Sequence, residues 1–133
     1  MSEQKILIID DDEDLILGLS IRLQANGYKV SSARDGISAI AAVRKEAPDL
    51  LILDLGLPVE DGFEVLQRLK DMTDLTTTPV IVLSARDPAG NEQRARDAGA
   101  KAYIQKPPNN HELMTAIRQA LGETTQLSQF LKA

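Results

Sequence analysis

Short apolar runs alternate with helix-period segments along the chain. Ile6 to Ile9, Leu50 to Leu53 and Val80 to Leu83 are unbroken apolar stretches, the pattern of strands covered on both faces of a parallel sheet. Tyr28 to Ser32, where Tyr28 and Val30 alternate with polar neighbours, and Ala102 to Ile104 read as flanking strands. Between the strands, apolar positions recur at helical spacing. Leu15, Ile16, Leu19 and Leu23 share one face of a first helix, Glu13 to Asn26, with Gly27 as its left-handed stop. Ile37, Ile40 and Ala41 mark a second helix before Pro48, and Val65, Leu66 and Leu69 a third after Gly62. A fourth, Ala89 to Ala98 closed by Gly99, has only alanines for its apolar stripe, which predicts weak packing and easy movement. Asn109 and Glu112 have the spacing of a capping pair ahead of Leu113, Met114, Ile117 and Leu121 in the fifth.

Five strand–helix pairs predict an α/β fold, a doubly wound five-stranded parallel sheet with five helices. Right-handed crossovers then place the ligand site at the carboxyl ends of the strands. The 133 residues suit one domain, read here as 1–122. The tail, 123–133, carries Leu127, Phe130 and Leu131 at i, i+3 and i+4, a short amphipathic helix or a connector.

Composition narrows the chemistry. The absence of cysteine and a single histidine exclude disulfides, thiolate zinc sites and thiol catalysis, and disfavour a transition-metal cage. The net charge is −5, with no block of Lys and Arg, so nucleic-acid binding by this domain is not expected. No apolar run approaches the roughly 18 residues of a membrane span, and Met1 to Lys5 has no secretion-signal pattern. The expected location is cytoplasmic.

The most informative segment is Asp10-Asp11-Asp12-Glu13-Asp14, directly after a buried strand. Asp12, Glu13 and Asp14 suit a helix start, where acids interact favourably with the dipole. Asp10 and Asp11 sit at the strand end, where adjacent carboxylates repel unless something positive joins them. A hard divalent cation, Mg2+, Mn2+ or Ca2+, is the natural partner for oxygen-only ligands. Asp54 ends the most hydrophobic strand at the same edge; by itself it reads equally as a cap of the turn Leu55 to Pro58. Ser84 and Lys106 end two further strands and add a hydroxyl and an ammonium to that edge. His111 reads as a surface residue.

Taken in order, the acidic pair, Asp54 with Leu57, Pro58, Asp61 and Gly62 downstream, Ser84-Ala85, and Tyr103 followed by Lys106-Pro107 resemble the receiver domain of two-component response regulators. The resemblance covers residues 5 to about 121 and implies a flavodoxin-like, CheY-like sheet of strand order 2-1-3-4-5. It implies that Asp54 is the phosphoacceptor, supplied by a sensor histidine kinase or a histidine phosphotransfer protein. Mg2+ would be held by Asp10 through water, by the Asp11 and Asp54 side chains and by the Gly56 carbonyl, with Mn2+ or Ca2+ as substitutes. Ser84 and Lys106 would contact phosphoryl oxygens. Tyr103 would turn inward as Ser84 moves toward the phosphoryl group, on a face of the fourth helix, fifth strand and fifth helix that also suits homodimerisation. Such a domain is a signalling switch that assists its own phosphorylation and dephosphorylation, not an enzyme acting on others. Three positions depart from the commonest pattern: Gly56, Arg86 and Pro108.

Other classes fit less well. Five acids after the first strand would repel a flavin phosphate, and neither nucleotide-binding glycine motif occurs. An aspartate-nucleophile phosphatase needs a second acid where Gly56 stands. The serious rival is a receiver-like interaction module that works without phosphorylation.

Overall fold

The computed structural model describes residues 3–72 and 77–122. Strands and helices alternate throughout: β1 (Lys5–Ile9), α1 (Glu13–Ala25), β2 (Lys29–Ala33), α2 (Gly36–Glu46), β3 (Leu50–Leu53), α3 (Gly62–Asp71), β4 (Val80–Ser84), α4 (Glu92–Asp97), β5 (Ala102–Gln105) and α5 (Asn110–Ala120). All four pairings are parallel, and the strand order is β2-β1-β3-β4-β5. This is the doubly wound α/β sheet predicted from the alternation of runs, with the expected strand order.

Successive side chains of a strand point to opposite faces, so each apolar run feeds two cores. Ile6, Ile8, Leu50, Ile52, Ile81, Leu83 and Ile104 pack against α1 and α5 through Leu19, Leu23, Leu113, Met114 and Ile117. Leu7, Ile9, Leu51, Leu53, Val80 and Val82 pack against α2, α3 and α4 through Ala39, Val43, Val65, Leu66, Leu69 and Ala95. Both faces are dry because helices cover both.

The helix caps are local. Asp12 accepts from the backbone N–H groups of Asp14 and Leu15, Asp35 from Ser38, Asp61 from Phe63 and Asn109 from Glu112. These bonds satisfy donors that a helix start leaves without intrahelical partners. Gly27 closes α1 at φ 90°, the left-handed conformation expected of it.

Three local expectations need correction. The second strand starts at Lys29, not Tyr28, because the Tyr28 N–H bonds back to Leu23 O at 3.1 Å and closes α1. The α2 helix does not turn Ile37 and Ala41 inward: Gly36, Ala39 and Val43 are buried, Ile40 is half-buried, and Ile37 is 75% exposed. The α4 helix is shorter than Ala89 to Ala98. Asp87 Oδ1 takes the Ala89 N–H, Gly90 lies at φ 78°, and Pro88 O accepts from Asn91 and Glu92, so a turn precedes Glu92. Its one buried side chain is Ala95, in line with the expected thin packing. The amphipathic reading of 123–133 falls outside the described residues. Among those described, no helix is long and apolar enough to cross a membrane.

Candidate functional site

The sheet's hydrogen-bond ladder runs one residue beyond the strand ends and so delivers the polar side chains to one edge. Asp10 N donates to Ala33 O at 3.0 Å, Asp54 N to Ile9 O at 2.9 Å, and Lys106 N to Ser84 O at 2.8 Å. Asp10, Asp54 and Lys106 are thereby fixed through their own backbones. The Lys106-Pro107 peptide is cis.

Asp10, Asp11 and Asp54 each present a carboxylate oxygen, and these atoms lie within 4.8 Å of one another. Asp10 and Asp54 are 2% and 6% exposed, whereas Asp11 faces solvent. Asp10 Oδ1 accepts from the Asp12 N–H at 2.9 Å, and Asp54 Oδ1 from the Gly56 N–H at 3.2 Å. The turn-capping role of Asp54 is therefore present beside its place in the cluster. Lys106 Nζ is 2.7 Å from Asp10 Oδ2 and 3.5 Å from Asp54 Oδ2.

Burial pushes the Asp10 carboxyl above its ordinary value, against the opposing hydrogen bonds from Lys106 and Asp12. Burial also works against the Lys106 ammonium, yet its hydrogen bond to Asp10 and the field of Asp54 prevail and hold it above its usual value. Two buried carboxylates, Asp10 and Asp54, thus share one ammonium, with the Asp11 carboxylate at the rim of the cluster. An all-oxygen donor set with surplus negative charge fits Mg2+, a hard cation.

Ser84 is 1% exposed, and its Oγ accepts from the Arg86 N–H at 3.2 Å. Tyr103 is 7% exposed, and its hydroxyl donates to Arg86 O at 2.8 Å. The ring therefore stands inward in this structure. The Arg86 side chain, named from the sequence only as a departure, reaches the acceptor loop: Nη2 donates to Leu55 O at 3.2 Å and Nη1 lies 3.7 Å from Asp61. No sequence signal points to this bond, because its acceptor is a backbone carbonyl. The closeness of α3 to Leu55 at Gly62 was equally unreadable.

A sheet of this order with an acid cluster and a lysine at the carboxyl ends of β1, β3 and β5 defines a receiver-type switch domain. The family model of the response regulator receiver domain matches residues 6–118, and the chain belongs to that family. It is 39% identical over 124 residues to the transcriptional regulatory protein KdpE of Mycobacterium tuberculosis, covering 93% of this chain and 54% of the relative. The chain thus spans about half the length of the curated relatives it matches. Among solved structures, the chemotaxis response regulator CheY4 of Vibrio cholerae matches with TM-score 0.83 and 29% identity, covering 90% of this chain and all (100%) of that one. The receiver domain of the sensor histidine kinase PA1611 of Pseudomonas aeruginosa, with magnesium coordinated in its active-site cleft, matches with TM-score 0.81 and 26% identity over 91% of this chain and 99% of that one.

Proposed function

We propose that Asp54 is the phosphoacceptor of this receiver domain and takes its phosphoryl group from a phosphohistidine on a sensor histidine kinase or a histidine phosphotransfer protein. The observation that carries the reading is the joint approach of Lys106 to Asp10 and Asp54, at 2.7 and 3.5 Å, inside the three-carboxylate cluster.

In the transfer, an Asp54 oxygen attacks phosphorus, the bond from phosphorus to the donor imidazole nitrogen breaks, and the electron pair leaves with the imidazole. An anion approaches an anion, so charge decides the barrier. Bound Mg2+ would supply the positive charge that brings carboxylate and phosphoryl oxygens together, and the side chains of Asp11 and Asp54, the Gly56 carbonyl and Asp10 through water are the groups to hold it. The donor set also suits Mn2+ and Ca2+. Lys106 neutralises phosphoryl oxygens from the β5 side. Ser84, nearly buried at the end of β4, offers its hydroxyl to another. The backbone amides and the ladder hold these groups in place before the donor arrives, so positioning supplies much of the rate.

The phosphoryl group carries about 1.5 to 2 negative charges. Because forming it consumes the charge of the Asp54 carboxylate, the site gains less than that in net charge while acquiring new acceptor oxygens. Phosphorylation changes the domain only by its differential interaction with two arrangements. Ser84 and Tyr103 are the switch pair, joined through Arg86, with thinly packed α4 as the element that responds. A groove of about 460 Å3 between α4, β5 and α5, lined by Glu92, Arg96, Tyr103, Ile104, His111 and Thr115 among others, is the face that a second copy or another partner would read. The domain works in the cytoplasm as a switch that assists its own phosphorylation and dephosphorylation.

The test is incubation with Mg2+ and acetyl phosphate, followed by intact mass. Gain of one phosphoryl group that requires the metal and vanishes in Asp54→Asn supports the assignment. An unchanged mass under conditions that label a control receiver favours a phosphorylation-independent interaction module.

A further inference from the structure

The peptide unit between Leu55 and Gly56 is held at both ends. Its N–H, on Gly56, donates to Asp54 Oδ1 at 3.2 Å. Its carbonyl, on Leu55, accepts from Gly62 N at 3.0 Å and from Arg86 Nη2 at 3.2 Å. A peptide is planar, so its two ends cannot turn independently. A cationic donor on the carbonyl also polarises the unit and strengthens the N–H at the far end. Asp54 Oδ2 faces Lys106 instead, so the two oxygens have separate restraints.

The main chain of Arg86 meets the other half of the site. Its N–H donates to Ser84 Oγ and its carbonyl accepts from the Tyr103 hydroxyl. One residue thus ties the β4–α4 loop to the loop that follows Asp54. The side chain is 38% exposed and also lies 3.7 Å from Asp61 and 5.9 Å from the centre of the Phe63 ring. Arg94, on α4, stacks on the same ring at 3.8 Å, whereas the donors to the Leu55 carbonyl are Gly62 N and Arg86 Nη2.

We propose that Arg86 is a positioning residue for phosphoryl transfer: through the Leu55–Gly56 peptide it orients the Asp54 carboxylate, and through its own backbone it links that orientation to Ser84 and Tyr103. This rests on Asp54 being the phosphoacceptor. The guanidinium touches no reacting atom; it sets the plane of the amide that does.

The experiment compares the wild type with Arg86→Ala, Arg86→Lys and Arg94→Ala. Two readouts are used: the rate of labelling by acetyl phosphate at saturating Mg2+, and the Gly56 amide proton resonance. In Arg86→Ala the maximal rate falls about fivefold, the effect of one ordinary hydrogen bond, while the half-saturating donor concentration stays put. The Gly56 amide proton moves upfield as its bond to Asp54 weakens. Arg86→Lys keeps a cationic donor for the carbonyl and recovers most of both. Arg94→Ala removes a cation from the same ring and changes neither, which separates positioning from general electrostatics. A wild-type rate in Arg86→Ala, an unmoved Gly56 amide, or equal slowing in Arg94→Ala overturns the proposal. If the wild type takes no label at all, the phosphoacceptor assignment has failed, and the Gly56 resonance still decides whether Arg86 controls the Leu55–Gly56 plane.

Discussion

The Tyr103 hydroxyl donates to the backbone carbonyl of Arg86 at 2.8 Å, which holds the ring inward against the second of the two cores. Such a bond turns the position of a side chain on β5 into a report on the conformation of the β4–α4 loop. With an inward ring already in place, phosphorylation at Asp54 would deepen an arrangement the chain can reach unmodified, as a switch with nearly balanced states requires.

Burial pushes the Tyr103 hydroxyl above its ordinary value of 10.0, opposed by Ser84 and Arg86. A raised value in the folded state means that the neutral phenol is favoured by folding. The stabilisation is complete below pH 10.0 and is lost as pH rises through the folded value. Ultraviolet titration of the wild type against Tyr103→Phe should show the Tyr103 component ionising later than a free tyrosine. Ionisation at or below the free value would contradict the inward bond. In chemical denaturation, Tyr103→Phe should cost about 1 kcal/mol.

Lys106 shares its ammonium between Asp10 and Asp54 at 2.7 and 3.5 Å. A divalent cation entering the cluster competes with that ammonium for the same oxygens. Lys106→Met should therefore bind Mg2+ several-fold more tightly in calorimetry. Its labelling by acetyl phosphate should nevertheless drop by about 100-fold, the loss typical of a removed electrostatic donor. Weaker Mg2+ binding in this variant would show that the lysine helps build the metal site instead of competing with it.

Gly62 opens α3 with no room for a side chain. A Cβ there would lie 2.3 Å from Leu55 Cα and 2.8 Å from the Leu55 carbonyl atoms, all of them backbone that cannot swing aside. Gly62→Ala should destabilise the fold by about 1 to 3 kcal/mol and disturb the loop after Asp54. Gly36→Ala is the contrasting case, because its nearest clash is with Glu60 Oε1 at 2.5 Å, the end of a flexible side chain. Denaturant midpoints that fall equally for both would argue against this distinction.

Asp35 caps α2 by accepting from the Ser38 N–H at 2.8 Å and the Ser38 hydroxyl at 2.7 Å. These bonds, the backbone one foremost, hold its carboxyl below the ordinary 3.8. The depressed value means that the cap contributes fully above pH 3.8 and is lost as pH falls through the lower folded value. Carbon-detected titration of Asp35 should follow that course, and Asp35→Asn should remove this part of the acid dependence. An Asp35 midpoint at or above 3.8 would remove the basis for the prediction.

Much of the architecture was readable because strand and helix periods are local properties. The runs at Ile6, Leu50 and Val80 announced central strands, and the apolar spacing in α1, α3 and α5 pointed to the buried Leu19, Leu23, Val65, Leu66, Leu69, Leu113, Met114 and Ile117, with Leu15, Ile16 and Leu121 only half-buried. Reading failed where apolar residues were spread around a helix. In α2, Ile37 and Ala39 are two positions apart, and packing against the sheet turned the small residue inward and left the large one in solvent. The α4 helix starts at Glu92, later than its alanines suggest, because Asp87, Pro88 and Gly90 form a turn whose hydrogen bonds compete with helix.

The candidate site divides along the same line. The chain itself placed Asp10, Asp54, Ser84 and Lys106 at strand ends, because a parallel sheet must present all its carboxyl ends to one edge. Which oxygen Lys106 reaches, that Tyr103 lies inward, and that Arg86 grips the Leu55 carbonyl were decided by packing in three dimensions. Such relations depend on ångström-scale distances between segments far apart in the chain, and on backbone acceptors that every residue carries, so no residue type marks them in advance.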